Sequence, residues 1–134
     1  MMQTRYALDL DVVSVILQQA IDHASAQGWA VSIAVVDEGG GLLAFARMDG
    51  ASLLSAELAQ GKARTAAIGK RDSKAFETMV QEGRLSLLSV QGLTCLEGGL
   101  PLRYEGQCLG AIGVSGVASH QDILIAKAGA AVID

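Results

Sequence analysis

The sequence predicts an α+β domain in which helices cover an antiparallel sheet. Strand-like segments come in pairs joined by short glycine-containing turns, which is typical of hairpins rather than of parallel crossovers. Helical segments precede, separate and follow these pairs. Because no linker or low-complexity stretch interrupts the 134 residues, we expect a single domain over residues 1–134.

The first half of the chain predicts a helix, a hairpin and a second long helix. Apolar residues at helical spacing indicate a helix from about Asp11 to Gln27, with Asp9 or Asp11 capping its start and Gly28 ending it. The segments that follow are strand Ala30–Val36, a turn at Glu38–Gly41, strand Leu42–Met48 and a helix from about Ser52 to Lys70.

The second half predicts a short helix, further strands and a closing helix. Ser73–Gln81 is amphipathic, and the stretch Leu85–Leu96 is compatible with either a strand or a loop. Strands Leu100–Tyr104 and Gln107–Val114 form a second hairpin, and Ser119–Ile133 is an almost wholly apolar helix. The predicted order is therefore α-ββ-αα-βββ-α.

Composition narrows the classes of partner. A net charge of −4 and only five aromatic residues argue against binding to nucleic acid. No apolar run is long enough to span a membrane, no signal peptide is visible, and two cysteines without metal spacing are typical of a reduced cytoplasmic protein. The apolar content of 51% is high for a small chain, so we expect part of the surface to be buried in a homo-oligomer.

Lys62 is the most informative charged residue. Positions two apart on a helix lie about 200° around its axis, so Lys62 faces away from the polar pair Gln60 and Arg64 and towards small residues. A lysine facing the protein interior needs a partner for its ammonium. That partner is either an internal carboxylate, with Asp37, Asp49 or Glu97 available, or a ligand anion such as a carboxylate or propionate.

Two further segments are compatible with a ligand rim. Arg47-Met48-Asp49-Gly50-Ala51 lies where a strand ends and a helix begins, although Asp49-Gly50 is also a common turn pair. Gly98-Gly99-x-Pro101 would let a ligand approach bare backbone, but it would equally serve as a turn that leads Pro101 into an edge strand.

Ser115 and the two histidines complete the candidate set. Ser115 lies at the end of a predicted strand, and Ser119 with Asp122 matches a capping box for the last helix. His120, at the start of that helix, would be disfavoured as a cation by the helix dipole and is either a metal or haem ligand or an exposed bystander. His23, in the first helix, is either a satisfied boundary residue or an axial haem or corrinoid ligand.

Read in order, these segments resemble the GlcG/HbpS family, which includes the C-terminal domain of PduO-type proteins. The resemblance covers nearly the whole chain, and its strength lies in the ordered set rather than in any single motif. The matching segments are Val36-Asp37, Arg47–Ala51, Lys62-Ala63, Thr65-Ala66, Gly98-Gly99-x-Pro101, Gly110–Gly116, and Asp122 with Ala126.

The resemblance implies a profilin-like fold with about five antiparallel strands, and homo-oligomers. It also implies binding of haem or a corrinoid such as cobalamin, in proteins associated with glycolate or with diol and glycerol metabolism. Carried over by position, the ligand-binding residues would be Arg47, Asp49, Lys62, Gly98, Gly99, Pro101 and Ser115, with His23 or His120 as haem ligand. The chain lacks the aromatic-rich pocket of specialised haem proteins.

Three functions are therefore compatible with the sequence. The first is an oligomeric accessory protein that binds a small molecule. The second is a structural or assembly protein without a ligand, in which the apolar last helix forms the interface. The third is an enzyme acting on a small acid or on haem, with Lys62 paired to Asp49 or Asp37, although no nucleophile–base pair and no metal-ligand spacing is present.

Overall fold

The computed structural model describes all 134 residues and contains one sheet surrounded by helices. No helix is long and apolar enough to cross a membrane. The elements in chain order are α1 (Leu10–Gln27), β1 (Ser32–Asp37), β2 (Leu42–Arg47), α2 (Leu53–Gly69), α3 (Ser73–Gln81), a 3-10 helix (Leu85–Ser89), β3 (Gly99–Tyr104), β4 (Gln107–Ser115) and α4 (Ser119–Ala130).

The sheet has four antiparallel strands in the order β2-β1-β4-β3, so the prediction of about five strands was too high by one. The missing strand is the ambiguous stretch Leu85–Leu96, which begins as the 3-10 helix and continues as turns. Within the 3-10 helix the Ser89 hydroxyl donates to the carbonyl oxygen of Ser86, a local side chain–backbone bond of the kind that competes with strand pairing. The two predicted hairpins are present as β1–β2 and β3–β4.

The hydrophobic cores on the two faces of the sheet differ in the size of their side chains. On one face, α1 and α4 pack branched side chains such as Ile16 and Ile125 against Ile33 and Ile112 of the central strands. On the other face, α2 presents alanines to Ala34, Val36 and Ala111; they are Ala59, Ala63, Ala66 and Ala67. Small residues on both sides let α2 lie close to the sheet.

Two glycines mark where α2 approaches most closely. A Cβ atom at Gly113 would collide with the carbonyl oxygen of Ala59 and the amide of Ala63, both in the backbone of α2. A Cβ atom at Gly99 would collide with the carbonyl group of Lys62. Since these contacts involve main-chain atoms, no rotamer change can relieve them. The spacing between α2 and the sheet is therefore set by glycine at both positions.

The capping residues of α1 are those expected from the sequence, whereas the cap of α4 differs from the prediction. Asp9 caps α1 by accepting from the amide of Val12 at 2.9 Å, and Gly28 ends this helix with φ 75°. The predicted Ser119–Asp122 capping box was wrong. Because α4 is capped one residue earlier, at Ala118, the side chain that reaches back to the cap amide belongs to Gln121, at 3.2 Å.

We expect Gly113→Ala to lower the free energy of unfolding by roughly 1–3 kcal/mol, the usual penalty for an overpacked core. The matched control is Gly39→Ala in the β1–β2 turn, where the nearest neighbour of a new Cβ would lie at an ordinary 3.6 Å. Urea unfolding of both variants measures the difference. Equal stability of the two variants would contradict the close-approach argument.

Candidate functional site

The Lys62 ammonium is buried and forms two hydrogen bonds with protein atoms. Its side chain is 2% exposed, and Nζ donates to the carbonyl oxygen of Val114 at 2.9 Å and to Oδ2 of Asp122 at 3.1 Å. The carboxylate of Asp122 is equally buried, and its Oδ1 accepts from the amide of Val117 at 3.2 Å. An ion pair removed from water in this way is stable only when further hydrogen bonds, here with the backbone of Val114 and Val117, offset the desolvation of both charges.

This pair joins the two helical layers around the end of the sheet. Lys62 lies in α2, on one face, whereas Asp122 lies in the first turn of α4, which packs on the other face. Gly98 lies directly against the lysine, since a Cβ atom there would lie 2.6 Å from the carbonyl oxygen of Val114 and 2.8 Å from Nζ of Lys62. Gly98 adopts φ 134°, a conformation that favours glycine.

Burial raises the pKa of the Asp122 carboxyl, and the negative charge of Glu97 acts in the same direction. The Lys62 charge, its hydrogen bond and the Val117 amide act to lower this pKa without cancelling the effect of burial. A carboxyl whose pKa is raised on folding contributes stability below its unfolded-state pKa and loses that contribution as the pH rises through the folded-state pKa. Because Lys62 lowers the folded-state pKa of Asp122, it reduces the stability that is lost as the pH rises.

The sequence correctly indicated that Lys62 faces the interior and left its partner open between an internal carboxylate and a ligand anion; the partner is internal, but it is Asp122 and none of the three carboxylates named for it. The carboxylate of Asp37 accepts from the amides of Gly39 and Gly41 in the β1–β2 turn. Glu97 pairs with Lys74 at 3.5 Å, and Asp49 is exposed. Asp122 was missed because the capping-box pattern already gave it a role. Its position beside Ile123 and Ala126 on the buried side of α4 was the available signal.

Arg47 and Ser115 lie in one row at the same end of the sheet. Ser32 of β1 is paired with Arg47 on one side and with Ser115 on the other. Directly opposed residues project to the same face, and the Ser32 hydroxyl contacts that of Ser55 in α2 at 2.8 Å. Both candidate residues therefore face the α2 side, about 10 Å apart across two strand spacings. Asp49 is exposed in the turn that follows β2.

Ser115 differs from the other buried polar residues. It is 5% exposed, yet its hydroxyl makes no hydrogen bond within the chain, whereas the other buried polar side chains are all bonded. No buried polar side-chain atom is without a partner, so the Ser115 hydroxyl must reach the surface. It is thus available to a ligand atom, a water molecule or another subunit.

Gly98, Gly99 and Pro101 belong to the packing of the sheet edge. Gly98 and Gly99 are buried against Lys62, as described above, and the amide of Gly99 donates to the Ser73 hydroxyl at 2.8 Å. Pro101 is half-buried in β3, which is an edge strand. A proline is tolerated there because the edge leaves one ladder donor unused.

The two histidines lie at the same end of the molecule, on neighbouring helices. Gly129, near the end of α4, packs against Ile16 and Ala20 in the middle of α1. The first turn of α4 therefore lies in space near the last turn of α1. His23 is half-buried near the end of α1, and His120 is exposed in the first turn of α4. Neither imidazole takes part in a hydrogen bond or ion pair with another residue, so both rings have nitrogen atoms free for a ligand.

The two surface hollows lie at the other end of the sheet, away from the predicted ligand-binding residues and from both histidines. One, of about 450 Å³, includes Arg5, Lys70 and Arg103; the other, of about 500 Å³, includes Tyr6, Asp37 and Leu109. No group of three or more His, Cys, Asp or Glu side chains is arranged to hold a metal ion. Neither hollow could be predicted from the sequence, because the residues that line each of them are far apart in the chain.

We expect a double-mutant cycle on the buried pair to show strong coupling. Lys62→Met leaves a buried carboxylate unpaired and Asp122→Asn leaves a buried ammonium without its counter-charge, so each should cost about 3–5 kcal/mol of unfolding free energy. The double variant should cost clearly less than the sum. The control is Lys74→Gln, which breaks a pair whose lysine is 58% exposed and should cost less than about 1 kcal/mol. Additive costs at Lys62 and Asp122 would show that the two residues do not stabilise the fold as an ion pair.

The cost of Lys62→Met should depend on pH. Without Lys62, the two influences that lower the pKa of Asp122 most are gone, so this pKa rises further in the folded variant. The penalty should therefore shrink as the pH is lowered from neutral to mildly acidic values, because Asp122 takes up its proton at a higher pH in the folded variant than in the folded wild type, while the two unfolded chains titrate alike. Unfolding free energies of wild type and variant, measured across this range, test the sign; a penalty that grows on acidification would oppose it.

Comparison with known proteins agrees with this architecture. The chain is 46% identical over 114 residues to protein GlcG of Escherichia coli K12, covering 85% of both chains. A crystal structure of a double mutant of HbpS from Streptomyces reticuli is 30% identical, with a TM-score of 0.92, and the match covers 99% of this chain and 91% of that one. A crystal structure of a complex between PduOC and haem is 29% identical, with a TM-score of 0.88 and 96% of each chain covered.

The family described as "Haem degrading protein HbpS-like" matches residues 8–131, which is all but the extreme ends of the chain. Together with the 46% identity to GlcG, this match establishes the relationship that the sequence motifs indicated. The chain belongs to the HbpS-like family.

Proposed function

We propose that this chain is a haem-binding accessory protein that works as a homo-oligomer. The observation that carries the proposal is the likeness to PduOC, a protein of the same fold that has been crystallised with haem, over 96% of both chains. The description of the matching family as haem-degrading points to the same ligand. The family resemblance further leads us to associate the protein with glycolate or with diol and glycerol metabolism.

The chemistry of the available donors fits haem. A neutral imidazole is a common axial ligand of haem iron, and His23 and His120 both have unengaged rings. Haem supplies the redox-active iron and two propionates, and the protein residues would hold and orient it. His23 is the stronger candidate, because its half-buried ring is better fixed than the exposed ring of His120.

A single protomer does not provide a cavity that would enclose a haem bound to His23. Neither hollow of the chain contains a histidine, so a haem bound to His23 would lie against the surface of α1. A second subunit would then supply the opposite wall. Large exposed apolar side chains support such self-association, since a monomer rarely leaves so many uncovered; they include Leu53, Leu54, Leu85, Leu88, Val90 and Leu124.

The remaining candidate residues take two different roles in this proposal. Arg47, Asp49 and Ser115 form a polar rim at the same end of the sheet as the histidines, and we assign them contacts with the polar groups of the ligand. Lys62, Gly98, Gly99 and Pro101 act indirectly, by fixing the edge strand β3 and the neighbouring strand β4, which ends at Ser115.

Haemin titration followed by absorbance tests this proposal. We expect a saturable Soret shift for the wild type that His23→Ala abolishes or weakens by at least about tenfold, because loss of an axial ligand removes the strongest single bond to the iron. His120→Ala is the matched control, since it removes the same side chain from an exposed site on the neighbouring helix.

Each alternative outcome has a definite meaning. If only His120→Ala loses the shift, haem binding stands but its ligand is His120. If haemin gives no saturable shift, the haem proposal is wrong, and titration with hydroxocobalamin then decides whether a corrinoid replaces it. If neither compound binds, the assembly function predicted as the alternative is favoured.

A further inference from the structure

We propose that the hollow lined by Arg5, Lys70 and Arg103 is a second binding site, which takes a small organic dianion carrying carboxylate or phosphate oxygens. The hollow has a volume of about 450 Å³, and no carboxylate lines it. A cluster of cations is unexpected in a chain whose net charge is −4. Only Arg5 among the three is paired with a carboxylate, so Lys70 and Arg103 leave a local positive potential that attracts anions.

Two of the cations that line the hollow, Lys70 and Arg103, lie at points where the backbone is irregular. Lys70 ends α2 in the left-handed conformation, with φ 54°, at a position where glycine is usual. A side chain at such a position costs on the order of 1 kcal/mol. Arg103 follows directly after a register shift in the β3–β4 pairing, and such shifts redirect side chains. The Arg103 guanidinium donates to the carbonyl oxygen of Lys70 at 2.6 Å, which holds the two residues together.

The third cation is brought in by the segment that precedes α1. The side-chain amide of Gln107 bonds to both backbone groups of Tyr6, accepting from its amide at 3.0 Å and donating to its carbonyl at 2.8 Å. This pairing sets the neighbouring Arg5 at the rim of the hollow. Arg5 also pairs with Glu38 at 2.9 Å, but Lys70 and Arg103 have no carboxylate partner. Their charges are free for a ligand.

The chemistry of these groups defines the ligand class. A guanidinium binds the two oxygens of a carboxylate or phosphate side by side, and an adjacent ammonium adds a point charge. The lining is mostly polar and includes Thr4 and Gln107, with Cys108 as its one hydrophobic residue. It therefore favours a ligand that forms hydrogen bonds over an extended apolar molecule. The site lies near the start of α1, about 20 Å along that helix from His23. It is therefore independent of the proposed haem site.

Isothermal titration calorimetry with inorganic phosphate and with malonate, at low ionic strength, tests the site. We expect saturable binding of at least one of these anions, weakened by added salt. Lys70→Gly and Arg103→Gln should each reduce the affinity by at least about tenfold, since each removes a charge-assisted hydrogen bond. Lys127→Gln, which removes the same charge from exposed α4, should leave the affinity within about twofold.

The Lys70→Gly variant separates binding from folding. Glycine adopts the left-handed conformation without strain, so this variant should unfold at the same temperature as the wild type or higher while losing the anion. Binding of malonate alone identifies a dicarboxylate site, and binding of phosphate alone a phosphate site. If neither anion binds, or if Lys70→Gly and Arg103→Gln bind as well as wild type, the inference is overturned, whatever the outcome with haemin.

Discussion

A lysine ammonium almost completely removed from water fixes how the two helical layers of this protein meet. A buried charge of this kind is tolerated only when its partners are in place, because its desolvation costs several kcal/mol. Lys62 finds one partner in the backbone of Val114 and the other in Asp122 across the end of the sheet. Since the pair spans α2 and α4, neither helix can move along the sheet without breaking it.

The glycines near this pair follow from the same constraint. For the lysine to reach around the sheet end, α2 must lie close to β3 and β4, and that distance leaves no room for side chains at Gly98, Gly99 or Gly113. A glycine-rich segment that looks in sequence like a ligand loop is thus explained by packing. The chemistry available to ligands lies outside this cluster, at the Ser115 end of the sheet, at the histidines, and in the cationic hollow at the opposite end.

Periodicity and local chemistry were sufficient to predict most elements from sequence. The helix Ser73–Gln81 agrees with the structure residue for residue, and the two hairpins and the inward direction of Lys62 were also correct. These features are determined by residues that lie close together in the chain. The partner of Lys62, the absence of a fifth strand and the hollow near Lys70 depend instead on residues far apart in the chain or on an irregular backbone. No single-segment pattern carries that information.

The chemical reactivity of Lys62 tests directly whether its ammonium is closed off from solvent between α2 and α4. The chain has four lysines, and the other three, Lys70, Lys74 and Lys127, are exposed. Trace labelling of the native protein with acetic anhydride, read by mass spectrometry, ranks their reactivities. We predict that Lys62 is by far the slowest to react, because its ammonium is released only when α2 and α4 separate. Labelling of Lys62 at a rate comparable to the other three would contradict the account, since it would show an ammonium open to solvent and to ligands.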